Sequence, residues 1–156
     1  MRVTICAVGR LRQGPERVLI DTYLTRFERT GRALGLGPAT VIEVEDKKGG
    51  GLAGEASLLA RAQPRGAATI ALDERGQSLT SPQFAEKLAH WRDTGQQDLA
   101  FVIGGADGLD PDLRDAAQFR LSLGKMVWPH MLVRVMLAEQ LYRAASILAG
   151  APYHRA

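Results

Sequence analysis

The chain has 156 residues, a length that at roughly 100–200 residues per domain predicts one domain over 1–156. Apolar residues make up 46% and charged residues 24%, which excludes a disordered chain. The single cysteine, Cys6, excludes a disulfide framework or a thiolate zinc site within the chain, and its apolar surroundings in sequence mark it as a small buried hydrophobe. The net charge of +3 is unevenly spread, with +4 over residues 1–32, −5 over 33–119 and +4 over 120–156. A fold that joins the two ends would therefore present a positive face suited to phosphates. No secretory leader is expected, because Gly9 and Arg10 end the first apolar run early. Arg134, Glu139, Gln140 and Arg143 interrupt Met131–Leu148 too often for a membrane span. The expectation is a soluble, cytoplasmic protein.

Taken in order, the elements alternate. Arg2–Val8 is short, β-branched and closed by Gly9, which predicts a strand. Pro15 suits a first helical position, and Ile20, Tyr23, Leu24 and Phe27 then recur at helical spacing until Gly31, Gly35 and Gly37. Ala39–Val44 reads as a second strand, Lys47–Gly51 as a flexible loop and Glu55–Ala62 as a short helix. A third strand is expected over Ala67–Leu72. Ser81-Pro82 opens a helix with Phe84, Leu88 and Trp91 on one face. Leu99–Ile103 is a fully apolar fourth strand, Asp110-Pro111 starts a helix with Asp110 as its cap, and Phe119–Leu123 reads as a fifth strand. His130–Leu148 is the longest and most apolar helix. This alternation predicts an α/β fold with a largely parallel sheet flanked by helices.

Ligands of such sheets bind outside the carboxyl ends of the strands. Three strand ends stand out: Leu72-Asp73, Gly104-Gly105, and Gly124 to Pro129. In Gly104-Gly105-Ala106-Asp107-Gly108, glycine lets backbone approach a ligand and tolerates positive φ. The pattern is neither the dinucleotide fingerprint nor a phosphate-binding P-loop, so the residues alone leave open a tight strand-to-helix turn or a ligand loop. The segment Gly124-Lys125-Met126-Val127-Trp128-Pro129 puts large apolar side chains in a connection. Either it is buried or it wraps an apolar ligand surface, and Trp128 either packs in a core or stacks on a base. Apolar residues fill 13 of the 18 positions from 131 to 148, too wide a stripe for the surface helix of a small monomer, which points to a dimer interface. Within that helix His130 and Arg134 share a face, and Glu139 and Arg143 have the spacing of an ordinary helical ion pair. The chain ends Pro152-Tyr153-His154-Arg155-Ala156, with a phenol, an imidazole and a permanent cation in three successive residues.

Together LSLGKMVWPHMLVRVMLAEQLYRA (121–144), IGGADGL (103–109) and the terminal PYHR (152–155) resemble the RlmH family, SPOUT-class methyltransferases that act on a pseudouridine of large-subunit ribosomal RNA. The likeness extends over essentially the whole chain and is most specific in its last 36 residues. Ala106 stands where many relatives have Pro, and Trp128 and Met131 also depart from the family pattern.

The resemblance implies an α/β sheet whose chain end forms a deep trefoil knot, a topology that periodicity could never reveal. It implies a homodimer that binds S-adenosylmethionine, with 23S rRNA within the assembled ribosome as substrate and N3-methylpseudouridine as product. The implied cofactor-binding residues are Leu72, Gly104, Gly105, Gly124, Lys125, Met126, Val127, Trp128 and Pro129. A sulfonium is already activated, so no metal is expected. The imide nitrogen that is attacked must lose a proton. His154 could accept it, Arg155 could stabilise the resulting anion or hold a phosphate, and Tyr153 could stack or hydrogen-bond. His130 and Arg143 are further candidates. A dinucleotide-dependent oxidoreductase is disfavoured, because Gly9–Gly14 lacks the fingerprint glycines. A non-enzymatic RNA- or ribosome-binding module would account for the basic ends and leave the glycine loops unexplained.

Overall fold

The structure is a computed structural model and describes residues 1–155. The elements run β1 (Arg2–Val8), α1 (Pro15–Gly31), a 3₁₀ turn (Arg32–Leu34), β2 (Ala39–Val44), α2 (Gly51–Ala62), β3 (Ala68–Ser78), α3 (Ser81–Asp93), β4 (Asp98–Ile103), α4 (Pro111–Ala116), β5 (Phe119–Ser122) and α5 (His130–Leu148). The strands form one sheet in the order β2-β1-β4-β3-β5, parallel at every pairing. Parallel neighbours need long crossovers, and the helices supply them.

Side chains alternate across a strand, so each central strand feeds two cores. Val3, Ile5 and Ala7 of β1 and Leu99, Phe101 and Ile103 of β4 face α1, α3 and α5. Cys6, Val8 and Val102 face the smaller layer of α2 and α4. The local signals hold well. Pro15 starts α1, which buries Ile20, Leu24 and Phe27. Asp110 caps α4, its carboxylate accepting from the amides of Asp112 (2.9 Å) and Leu113 (3.3 Å). Thr80, one residue earlier than Ser81-Pro82, caps α3 in a reciprocal pair with Gln83. Cys6 is fully buried, and burial pushes its thiol up to about 11. Among the described residues no helix is long and apolar enough to cross a membrane.

Two elements depart from expectation. Helix α2 begins at Gly51 rather than Glu55, so Lys47–Gly51 is less free than its glycines imply. The Asp46 carboxylate gathers the loop by accepting from the Lys48 amide (3.2 Å) and the Gly50 amide (2.5 Å), and it places negative charge at the helix start. A Cβ on Gly54 would lie 2.6 Å from that carboxylate, so a small residue belongs there. Strand β3 continues past Leu72 to Ser78 with a bulge: Leu72 and Gln77 both pair with Leu121 of β5. The residues between them, Asp73–Gly76, leave the ladder.

The last connection reaches far. Strand β5 is at one edge of the sheet, yet α5 packs against α1 and α3 and its Arg134 reaches β1 and β2. Residues 123–129 therefore cross back over the carboxyl ends of β3 and β4. This return path is compatible with the knotted chain end that the resemblance implies.

Candidate active site

The crossing segment closes a cavity of about 320 Å³ over the carboxyl ends of β3 and β4. Its floor is Leu72, Ile103 and Leu121, and its walls are the β3 bulge, the Gly104–Gly108 turn and the 123–128 segment, with His130 and Val133 at the start of α5. Of the residues singled out for cofactor binding, Leu72, Gly104, Gly105, Gly124, Met126, Val127 and Trp128 line this one cavity. Lys125 and Pro129 belong to the same segment and are not among the lining residues; both side chains are exposed. The 126–128 segment is not buried: Met126 is 72% and Val127 82% exposed, and Trp128 is also on the surface rather than in a core. These side chains form an apolar rim open to solvent.

The glycine turn is tight. The Gly108 amide donates to the Gly105 carbonyl (3.0 Å). A Cβ on Gly104 would lie 2.3 Å from the Gly108 carbonyl oxygen, so Gly104 is required by the turn itself. Positive φ occurs at Gly108 (79°), not at Gly104 or Gly105. At Gly105 a Cβ would instead crowd Val8 Cγ1 at 3.2 Å. The turn is thus a packing device, and its compactness is what leaves room above β4.

Several polar groups organise the walls. Ser122, buried at the end of β5, was not singled out from sequence. Its Oγ lies 3.1 Å from the Glu74 carbonyl and 3.0 Å from the Gly124 carbonyl, and it accepts from the Gly124 amide (3.1 Å). One hydroxyl thereby ties the β3 bulge to the crossing segment. The only sequence signal was a polar residue ending an otherwise apolar strand. Asp73 turns back to accept from the Arg75 amide (2.8 Å) and its Nε (3.1 Å). Glu55, beside Gly105, has its carboxyl raised above the usual range by burial and by the nearby Asp107 and Asp46. His130 has its imidazole held below the ordinary histidine value, first by burial and then by the Arg134 cation, so a neutral ring faces the cavity.

The chain terminus forms a separate cluster on α5. Glu139 accepts from Arg143 Nε (3.0 Å) and Nη2 (2.5 Å) and from the Tyr153 hydroxyl (2.9 Å). The Tyr153 ring packs on Tyr142 with centroids 4.5 Å apart, under the Arg143 guanidinium at 4.7 Å. Burial and the Glu139 carboxylate raise the Tyr153 phenol, which therefore stays a donor. Arg143 Nη1 lies 3.3 Å from His154 Nδ1. A guanidinium only donates, so Nδ1 is the accepting nitrogen and the ring proton sits on Nε2. Arg155 is exposed. Tyr153 and His154 are thus brought together with Glu139 and Arg143, Arg155 stays outside this cluster, and none of the three lines the cavity of its own chain. A second, more apolar hollow of about 510 Å³ lies between α1, α3 and α5 and has Glu139 in its wall; Leu123 and Gly124 border it too, but neither the Leu72-Asp73 strand end nor the Gly104–Gly108 turn does. Among the described residues no group of three or more His, Cys, Asp or Glu side chains is arranged to hold a metal.

Comparison with known proteins places this geometry. Residues 1–154 match the family model described as "Predicted SPOUT methyltransferase". Two relatives named ribosomal RNA large subunit methyltransferase H, from Ruegeria pomeroyi and Dinoroseobacter shibae, are each 72% identical over 155 residues, covering 99% of both chains. A third of that name, from Cereibacter sphaeroides, is 66% identical over the same span. The solved structure of a probable methylase family protein from Haemophilus influenzae superposes with a TM-score of 0.50 at 10% identity, covering 99% of this chain and 70% of that one, a likeness of fold. With a strand-end cavity under a returning chain segment and a match along its length, the chain belongs to the SPOUT methyltransferase family.

Proposed function

We propose that this protein transfers a methyl group from S-adenosylmethionine to N3 of a pseudouridine in 23S rRNA, acting as a homodimer on the assembled ribosome in the cytoplasm. The observation that carries the reading is the meeting of three separate strand-end segments in one cavity of a chain whose 72%-identical relatives are named for ribosomal RNA methylation.

The cavity fits the cofactor. Its volume of about 320 Å³ lies within the roughly 300–1,000 Å³ of small-molecule sites. Leu72, Ile103, Met126 and Val127 offer apolar contact to an adenosine, and the carboxylates of Asp73, Glu74 and Asp107 suit a ligand carrying a sulfonium and an ammonium. When bound there, S-adenosylmethionine supplies an activated methyl group for in-line displacement.

The chain's own part is to hold the target base and remove its proton. His154 is the proposed acceptor. Its Nδ1 lone pair now faces Arg143, so the ring must release that contact before it takes a proton. Arg155 is free of the Glu139 cluster and is assigned to the developing anion or an adjacent phosphate. Tyr153, tied to Glu139, orients the tail. Because the tail does not reach the cavity of its own chain, the reading needs a tail from a second copy or a rearranged tail, and a homodimer provides the first. The exposed apolar residues Met126, Val127, Trp128, Met131 and Leu132 favour such an interface.

The test is calorimetric binding of S-adenosylmethionine to pure protein, then methyl transfer to free 23S rRNA, large subunits and whole ribosomes, with the position mapped by mass spectrometry. Absence of cofactor binding would return the chain to a non-enzymatic ribosome-binding role. A methyl group on another base or atom would refute the assigned chemistry.

A further inference from the structure

Arg134 is the largest of the fully buried side chains, 1% exposed, in the second turn of a helix that packs on the sheet. Its Nη1 donates to Glu43 Oε2 of β2 (2.8 Å). Its Nη2 donates to the carbonyls of Val8 (2.7 Å) and Gly9 (2.8 Å) at the end of β1. The same Glu43 oxygen accepts the Leu11 amide of the β1–α1 loop at 2.6 Å. One guanidinium thus joins α5 to β1, to β2 and to the loop between β1 and α1.

Such a pair is a poor device for stability alone. Desolvating two charges offsets most of their attraction, and apolar side chains of similar volume often hold a core as well or better. What a planar fork adds is direction: several donors in fixed geometry set both the rotation and the height of the helix against the sheet. The cavity wall depends on that direction. His130 lies four residues before Arg134 on the same face, and it lines the cavity. A Cβ on Gly9 would sit 3.6 Å from His130 Cε1 and 3.7 Å from Arg134 Nη2, so both side chains close on the same point of β1. The Met126–Trp128 rim ends at Pro129, whose carbonyl accepts the amides of Leu132 (2.9 Å) and Val133 (3.1 Å). Ser122 holds the start of the crossing segment, and the first turn of α5 holds its end.

We propose that Arg134 and Glu43 are positioning residues, which orient the first turn of α5 so that His130 and residues 126–129 form the cavity wall before any ligand arrives. Neither lines that cavity, and neither is a catalytic residue. The identity of the ligand rests on the function proposed above; the positioning itself does not.

The experiment uses Glu43→Gln, which keeps the side-chain volume and an oxygen for the Leu11 amide while removing the charge. Arg134→Met, which removes the fork and keeps an apolar stem, is the second variant. Amide hydrogen exchange is followed at Leu132 and Val133 and, as reference, at Phe101 and Val102 of β4. Binding of S-adenosylmethionine and steady-state kinetics are measured on the same samples. In Glu43→Gln, protection at Leu132 and Val133 should fall at least tenfold more than in β4. The Kd and KM for S-adenosylmethionine should rise at least tenfold, with kcat within threefold of the wild type. Equal loss of protection in α5 and β4 would show an ordinary scaffold contact and overturn the proposal. So would full protection of the α5 turn, or a loosened turn with unchanged cofactor affinity. If Arg134→Met does not fold, Glu43→Gln still decides. If the wild type itself binds no S-adenosylmethionine, the functional reading fails while the exchange comparison still judges the positioning.

Discussion

Deleting residues 153–156 separates the tail's two possible duties. The tail is docked by the Tyr153 hydroxyl on Glu139 (2.9 Å), the Tyr142–Tyr153 ring pair at 4.5 Å and Arg143 over the Tyr153 ring at 4.7 Å. The hydrogen bond contributes about 1 kcal/mol, the ring pair about 0.5–1.5 and the cation–π contact about 0.5–1. Against these stands the conformational entropy of ordering Tyr153 and His154, the two tail residues whose side chains are held, roughly 1–2 kcal/mol each or about 2–4 kcal/mol together. The terms nearly cancel, so truncation should change stability by about 1 kcal/mol or less and Tm by no more than about 4 °C for a chain of this size. Affinity for S-adenosylmethionine should stay within twofold, because no tail residue lines the cavity of its own chain and the tail's proposed duty is toward the target base. Methyl transfer to ribosomes should fall at least about 100-fold, the lower range of a general base's contribution. Calorimetry with the cofactor and a radiolabelled transfer assay read the two quantities separately. Transfer at the wild-type rate would refute the catalytic assignment of Tyr153, His154 and Arg155 and leave His130 as the better candidate. Loss of cofactor affinity would show that the tail belongs to the cofactor pocket.

Gly104→Ala should abolish folding or lower the urea midpoint severely, since its Cβ would lie 2.3 Å from the Gly108 carbonyl, whereas Gly108→Ala, at φ 79° but in open space, should cost only about 1 kcal/mol. Ser122→Ala should destabilise by about 1–2 kcal/mol and weaken cofactor binding severalfold, because the β3 bulge and the crossing segment lose their common tie; equal affinity by calorimetry would contradict that link. His130 is held neutral by burial and the Arg134 cation, so the unfolded chain takes up its proton more readily. Its contribution to stability is therefore complete above the ordinary histidine value of about 6.5 and declines as the pH falls from there through the lowered folded value. Urea midpoints between pH 5 and 8 should show this slope, and His130→Gln should flatten it.

Much of the fold was legible in the sequence because its causes are local. Strand β1 is a β-branched run stopped by Gly9, α1 begins at Pro15 and keeps one apolar face, and Asp110 caps α4 with its own carboxylate. The three strand ends were visible for the same reason, since glycine and apolar residues in a connection are marks that each segment carries alone. What those marks could not convey is which distant atoms they meet. The third strand is expected to end at Leu72, yet it continues to Ser78 around the bulge Asp73–Gly76, where Gly76 passes against the β5 backbone and a Cβ would lie 2.7 Å from the Arg120 carbonyl carbon. Tyr153 and His154 form a recognisable cluster in sequence, but only the docked terminus shows that Glu139 and Arg143 hold them and that the cavity lies elsewhere. Arg134 is the sharpest case. In one dimension it is a charge that interrupts an apolar helix and belongs in water. In the folded chain it is fully buried, because two strand-end carbonyls and a carboxylate more than ninety residues away in sequence supply its two terminal nitrogens with partners in place of water, while its Nε is left without one.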